Sequence, residues 1–395
     1  MKKIKMLDLK AQDRRCRRKI RRGFKRVIRS VDFINGKEVG LFQQRLAKYL
    51  GVKHVIACGS GTDAIQISLM ALDLVPGDEV IVPAFTFVAA AEAVRLLGLK
   101  PVFVDIDINT FNIDPASVER AITDRTRAIV PVHLFGQCAD MTSIMEIAAK
   151  YRLFVIEDAC QALGSDYIIR EGTGQLQMGP FTYDYRCTDH GIRKKAGTIG
   201  HIGCTSFFPS KSLGAYGDGG AVFTNNDELA DRIRKIACHG AGKRYIHQYV
   251  GVNSRLDTLQ AVVLNAKLPF VEKHSAKRSR IAAFYDKEFV SCMQLKVPSR
   301  APHSTHIFHQ YCLLCRSERE RNALQFHLES WGIPTRVYYP LPLHLQQAFA
   351  GLGYRKGDFP VAENVAKRIM AIPIHPTLKR RQMRYISKGI LSFFD

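Results

Sequence analysis

The chain has 395 residues, 46% of them hydrophobic and 24% charged, enough to bury one or two substantial cores. No run of about 18 apolar residues occurs, and the charged start MKKIKMLDLKAQ lacks the apolar stretch of a secretory signal, so a cytoplasmic protein without a membrane span is expected. The formal charge of +22 invites a polyanion, but no nucleic-acid motif accompanies it, so nucleic acid is not an expected partner.

In chain order, the first basic cluster runs from Arg14 to Arg26. Ile20, Phe24, Val27 and Ile28 recur there at helical spacing, which predicts a helix with a solvated basic face. A second basic cluster lies between Leu378 and Lys388. From Val55 to Ala221, short apolar runs alternate with helical patterns. VIAC (55–58), EVIVP (79–83), PVFVDI (101–106), AIVPVHLFG (128–136) and LFVIED (153–158) read as buried strands; TDAIQISLMALDL and MTSIMEIAAKY read as helices between them. That alternation predicts an α/β fold, a parallel sheet covered on both faces, with ligands bound by the loops that follow the strands. The stretch from Asp166 to Lys195 is polar, holds Gly and Pro and keeps no period. It reads as an inserted loop, 166–195, and is assigned no secondary structure.

Beyond Leu268 the pattern changes. A helical VEKHSAKRSRIAAFYDKEF, a strand-like THIFHQYCLL and a helix from Glu318 to Trp331 predict a smaller α+β unit, so the chain divides into 1–267 and 268–395. Ten cysteines form no disulfide framework. Cys312 and Cys315 make a single C-x-x-C on an apolar run, which reads as packing rather than zinc ligation, and no metal is expected.

Three segments carry chemistry. In CGSGTDAI (58–65) a strand ends, a glycine turn follows and a helix begins, so free backbone N–H groups and the hydroxyls of Ser60 and Thr62 could hold an anion; an ordinary N-cap turn reads equally well. In FVIEDACQALG (154–164) Asp158 closes a buried strand, where a carboxylate needs a cationic partner or serves as a helix N-cap. In GCTSFFPSKSLGAYGDGGAVFT (203–224) Lys211 sits between an apolar run and a glycine-rich turn, placed to form an ion pair or to act as an amine toward a carbonyl, with Ser206 five residues earlier. A phosphate cradle, a strand-end carboxylate and a half-buried lysine are together the protein parts that pyridoxal 5'-phosphate requires.

GSGTDAI, VPAFTFVA, PVHLFGQCADM, VIEDACQALG, SFFPSKSLGAYGDGGA, NSRLDTLQA and YYPLPLH occur in this order. With them the chain resembles the DegT/DnrJ/StrS sugar aminotransferases over nearly its whole length. The resemblance implies the type I aminotransferase fold, with a mainly parallel seven-stranded sheet flanked by helices and a smaller C-terminal α+β domain. It places Lys211 on the lysine that binds the cofactor and shuttles the proton, and Asp158 on the carboxylate that pairs with the ring nitrogen. Gln161 falls on the glutamine at the ring oxygen and Phe87 on the stacking aromatic. Gly61, Thr62 and Ser206 fall on phosphate contacts, and Asn253 on an asparagine reaching the phosphate from a second subunit, which implies a homodimer with shared sites. The nearest likeness is to enzymes that aminate UDP-2-acetamido-2-deoxy-hexuluronates at C3, with glutamate as amino donor.

Arg255 would meet the uronate carboxylate, or else pair with Asp257 or with an interface acid. His309, Tyr339 and His344 match the substrate side. Departures from the pattern are Lys-Ser where Lys-Asn is common, the long 172–194 segment, which could cover the pocket, and the arginine-rich first helix. The competing readings are the same chemistry on a 4-keto-6-deoxy sugar linked to dTDP, UDP or GDP, a regulatory nucleic-acid-binding protein, and an inactive paralogue.

Overall fold

The protein is described by a computed structural model covering residues 4–169, 173–178, 181–186 and 192–395. The five apolar runs become β1 (His54–Cys58), β2 (Glu79–Pro83), β3 (Lys100–Val104), β4 (Thr126–Ile129) and β5 (Phe154–Asp158). The β4 run stops well short of Gly136. Pro131 brings no amide to a ladder, and the chain then turns through a short 3-10 segment, Leu134–Gly136, with Phe135 at φ +56°. MTSIMEIAAKY becomes the helix Met141–Tyr151, its start fixed by Asp140, whose side chain accepts the Ser143 amide.

The stretch given no structure by the sequence carries strands: β6 (Asp166–Ile169), β7 (Thr173–Met178), β8 (Phe181–Arg186) and β9 (Ile192–Lys195). β6 pairs antiparallel with β9 and β7 with β8. They pair with one another and not with the main sheet, so they need no continuous apolar run, and the sequence therefore lacked the usual strand signal. The base is pinned: the Tyr167 hydroxyl accepts the Thr142 amide at 2.8 Å, and Lys195 bridges Asp166 and Glu272, each at 2.8 Å. The expectation that the 172–194 segment covers the pocket falls in part on residues outside those described, namely 172, 179–180 and 187–191.

After it come β10 (Ile202–Ser206) and β11 (Gly220–Thr224). The main sheet has the order β1-β11-β10-β5-β4-β2-β3. β11 runs antiparallel to both of its neighbours, and every other adjacent pair is parallel. β2, β5, β10 and β11 are buried almost throughout, as strands covered on both faces must be. Two short strands, β12 (Ala241–Lys243) and β13 (Ile246–His247), form a separate hairpin.

The C-terminal third adds a three-stranded antiparallel sheet of β14 (Leu295–Lys296), β15 (Tyr311–Cys315) and β16 (Ile369–Ile372). Helices Val271–Phe289, Glu318–Ser330 and Arg380–Leu391 surround it, and Tyr285, Leu313, Leu328 and Ile386 meet in its core. Cys312 and Cys315 are buried in β15, and among the described residues no group of His, Cys, Asp and Glu could hold a metal ion.

The basic N-terminal helix, Arg17–Ser30, buries Ile20, Gly23 and Val27. A Cβ on Gly23 would lie 2.3 Å from a Val262 methyl, so glycine lets this helix lie against Thr258–Lys267. Ile28, expected on the buried stripe, is 60% exposed. Among the described residues no helix is long and apolar enough to cross a membrane.

Candidate active site

The register of three strands sets the level of the site. Gly220 pairs with Cys58 on one side and with Ser206 on the other, so the ends of β1 and β10 stand level across it. A side chain on Gly220 would meet the Ser60 carbonyl at 2.1 Å; only glycine lets the turn after β1 cross β11 toward Ser206. The crossing delivers Gly61, the first residue of the helix Gly61–Met70, against β10. A Cβ on Gly61 would lie 2.6 Å from Ser206 Cβ and 3.1 Å from Cys160 Sγ.

Among the described residues the Gly61 and Thr62 amides find no acceptor, and they stand at the positive end of that helix. Ser206 Oγ accepts the Phe208 amide at 3.2 Å, which leaves its proton to donate outward. Free amides, a hydroxyl and a missing side chain make a cradle that fits a phosphate.

The same turn is braced from below. Ser60 caps the helix through the Asp63 amide, 3.0 Å, and donates to Asp63 Oδ1, 2.8 Å. Ser254 Oγ accepts the Gly59 amide at 2.9 Å and donates to Asp63 Oδ2 at 2.5 Å. Reading the sequence missed Asp63 and Ser254 as a pair: 191 positions separate them, so no local spacing signals the contact.

Asp158, 7% exposed, ends β5 and accepts the Cys160 amide at 3.0 Å, the helix-cap-like bond the sequence allowed. Its amide and carbonyl are both tied to the neighbouring segment, by Pro131 O at 2.9 Å and the His133 amide at 3.0 Å. Glu157, to which the sequence assigned no role, is fully buried. It accepts His133 Nε2 at 2.7 Å and the amides of Gly197, 2.9 Å, and Ile199, 2.6 Å, with Gly200 at 2.5 Å. His133 Nδ1 accepts the Ala139 amide at 3.1 Å, so the ring proton sits on Nε2 and donates to Glu157. Glu157 thereby ties the end of β4, the end of β5 and the lead-in to β10 together. Its signal in the sequence was only a second acid at the end of an apolar run.

Lys211 lies half-buried in the turn after β10, its amide donating to Phe208 O at 2.8 Å. Its positive charge reaches Cys160 and His309. Burial, then Lys211 and Arg278, push the His309 imidazole well below its ordinary range, so the ring is neutral. Burial and next the Asp158 charge push the Cys160 thiol up, so it is protonated.

Gln161 joins two walls. It accepts the Phe135 amide at 3.0 Å and donates to the Tyr339 hydroxyl at 3.1 Å. The Tyr339 ring packs 6.0 Å from Phe85 and 6.2 Å from Phe87, and Phe87 stays 52% exposed, with a face open to a ligand.

The structure therefore gathers Gly61, Thr62 and Ser206 as one group and joins Gln161 to Tyr339, whose ring packs beside Phe87, while Asp158 and Lys211 both bear on the Cys160 thiol. It sets three residues apart. His344 is 2% exposed and its Nε2 lies 3.1 Å from Glu363 Oε1; with Leu343 N–H on Ala84 O at 2.7 Å, this segment supports the turn that carries Phe87. Asn253 is exposed, and Arg255 makes no ion pair among the described residues, with Asp257 or any other acid.

The pattern of the DegT/DnrJ/EryC1/StrS aminotransferase family matches residues 15–391. The chain is 45% identical to a UDP-2-acetamido-2-deoxy-3-oxo-D-glucuronate aminotransferase of Pseudomonas aeruginosa, covering 98% of this chain and 99% of the relative. It is 43% identical to a "pleiotropic regulatory protein" of Geobacillus stearothermophilus, over 99% and 98%. The crystal structure of NtdA from Bacillus subtilis with bound cofactor PMP superposes with a TM-score of 0.86 at 30% identity, over 99% of this chain and 85% of that one.

Proposed function

This chain belongs to the DegT/DnrJ/EryC1/StrS aminotransferase family, the pyridoxal-phosphate-dependent aminotransferases of nucleotide-linked sugars, and we propose that it moves an amino group from glutamate to a 3-keto UDP-N-acetylhexuronate in the cytoplasmic synthesis of a bacterial surface polysaccharide. The observation that carries this reading is the level set by Gly220: phosphate cradle, strand-end carboxylate and lysine turn all open at one edge of the sheet. Pyridoxal phosphate, when bound, supplies a ring that takes up the electrons of the donor's Cα–H bond.

Every other task falls to the chain. Gly61, Thr62 and Ser206 hold the phosphate. Asp158, its backbone tied to Pro131 and His133, would keep a positive charge on the ring nitrogen. Phe87 would stack on the ring and Gln161 would meet the ring oxygen, with Tyr339 holding the glutamine. Lys211 is proposed as the catalytic residue: its amine would hold the cofactor and would move the donor's Cα proton. His309, neutral beside Lys211, does not compete with it for protons and lines the substrate side.

We place Arg255 at the uronate carboxylate, which a guanidinium can bind through two parallel hydrogen bonds. Arg255 and Asn253 serve the second site of a homodimer. Exposed apolar side chains flank their segment: Val31, Phe33 and Ile34 on one side, where the Thr258 amide donates to Phe33 O, and Tyr245 and Val250 on the other, beyond the Cys238–Asn253 bridge. A patch of that kind calls for a cover. Residues 1–267 and 268–395 are taken as its two units.

The test is a panel of UDP-, dTDP- and GDP-linked keto-sugars, with glutamate, followed by mass spectrometry of the amino-sugar products. Turnover of the 3-keto uronate above all others supports the assignment. Preference for a 4-keto-6-deoxy sugar replaces the substrate, and no turnover of any sugar with cofactor bound makes the chain an inactive paralogue.

A further inference from the structure

Ser254 stands between Asn253 and Arg255, the residues read as serving the second subunit, yet its own side chain turns inward to this subunit's phosphate cradle. It is 3% exposed, accepts the Gly59 amide and donates to Asp63. Asp63 in turn holds the Ser60 hydroxyl, and Ser60 caps the helix whose first amides form the cradle. The Ser254 amide is fixed as well, on Ala237 O at 3.0 Å. The fit leaves little slack: a Cβ on Gly59 would lie 2.8 Å from Asp63 Oδ2 and 3.3 Å from Ser254 Oγ. The cradle and the outward-facing segment are therefore joined in one hydrogen-bonded unit, although the chain separates Asp63 and Ser254 by 191 positions.

We infer that Asp63 and Ser254 are positioning residues that couple the two cofactor sites of the dimer: filling one cradle orders that subunit's Asn253, which completes the cradle opposite. This rests on the shared-site reading of Asn253 above. The coupling has a sign. A phosphate on the Gly61 and Thr62 amides stabilises the capped turn, Ser254 transmits that order to Asn253, and the second phosphate then meets a formed site, so binding is positively cooperative.

The experiment is calorimetric titration of pyridoxal phosphate into the cofactor-stripped, full-length protein, with sedimentation velocity on the same samples. Wild type is expected to bind its second equivalent about tenfold more tightly than its first, within the ordinary range of such couplings. Ser254→Ala should remain dimeric but bind two equivalents with a ratio near one, and Ser254→Thr, which keeps the hydroxyl, should restore the ratio. That rescue separates transmission from mere loss of packing. Asn253→Ala reports on the shared site itself. If it leaves affinity unchanged, the reading of Asn253 fails. If it weakens binding while wild type shows two equal, independent sites, or while Ser254→Ala keeps the full ratio, the coupling is overturned and the dimer site stands.

Discussion

Replacing Gly61 with alanine tests the cradle most directly, because the size of the intrusion follows from the neighbouring atoms. The added methyl would lie 2.6 Å from Ser206 Cβ, 3.2 Å from Ser206 Cα and 3.1 Å from Cys160 Sγ. Carbon atoms pack comfortably at about 3.5–4.0 Å, so roughly an ångström of separation must be found. β10 is locked by pairing on both sides, so the displacement falls on the turn and its open amides. Overpacking of this size costs about 1–3 kcal/mol. Taken from the holo state, that is roughly a 5- to 150-fold loss of affinity for pyridoxal phosphate, at about 1.4 kcal/mol for each factor of ten.

Equilibrium binding of the cofactor and thermal unfolding of the stripped protein separate this from general damage. Two other glycines calibrate the scale. Gly203→Ala, whose Cβ would lie 1.9 Å from Gly197 O and 2.2 Å from the Phe223 ring, should cripple the fold itself. Gly40→Ala, with nothing within 4 Å, should leave binding unchanged and stabilise its helix by up to about 1 kcal/mol. Gly61→Ala binding cofactor within a factor of two of wild type, with unchanged melting, would show that the phosphate sits elsewhere.

Lys211→Ala should retain cofactor affinity through the cradle but lose transamination entirely and form no borohydride-trapped adduct at position 211; turnover at the wild-type rate removes the mechanism. Glu157→Gln preserves volume but turns an amide NH₂ toward backbone donors, so urea unfolding should show a loss of about 3–5 kcal/mol, as for other broken buried charge networks, and no change there would mean the carboxylate is not the hub described. Arg255→Ala should raise KM for the uronate while leaving that for the matching uncharged hexose within about twofold, since one charge-assisted contact is lost for the first alone; equal effects on both assign Arg255 to the interface. Burial depresses His201 and His306 to a pKa of about 3, and His274 and His375 to about 4. The unfolded chain protonates these rings near pH 6.5 and the folded chain does not, so between those values the unfolded state binds more protons and stability falls as pH drops. For His201 and His306 the loss reaches roughly 2–3 kcal/mol each by pH 4.5. The urea midpoint should therefore decline steadily below pH 6.5, and a midpoint that rises toward pH 5 contradicts the burial of these rings.

The sequence by itself determined the parts that depend on local order. Strands buried on both faces need unbroken apolar runs, so β1, β2 and β5 were legible to within a residue, and the helix Met141–Tyr151 was legible at both ends. Motif order likewise brought Lys211, Asp158, Gly61 and Ser206 into view. What the sequence left open depends on partners far away in the chain. The segment 166–195 looked shapeless because its strands pair with one another and, at Tyr167, with Ser304, but not with the main sheet. Ile28 looked buried from its spacing, yet it lies on the solvent side of its helix. Glu157, Ser254 and Gly220 lie inside recognisable motifs, but nothing local assigned them a role: each matters through a backbone amide or carbonyl that sheet register brings beside it. Periodicity reports how a residue faces its own element, whereas a site is assembled between elements, and that distance is closed only when the sheet forms.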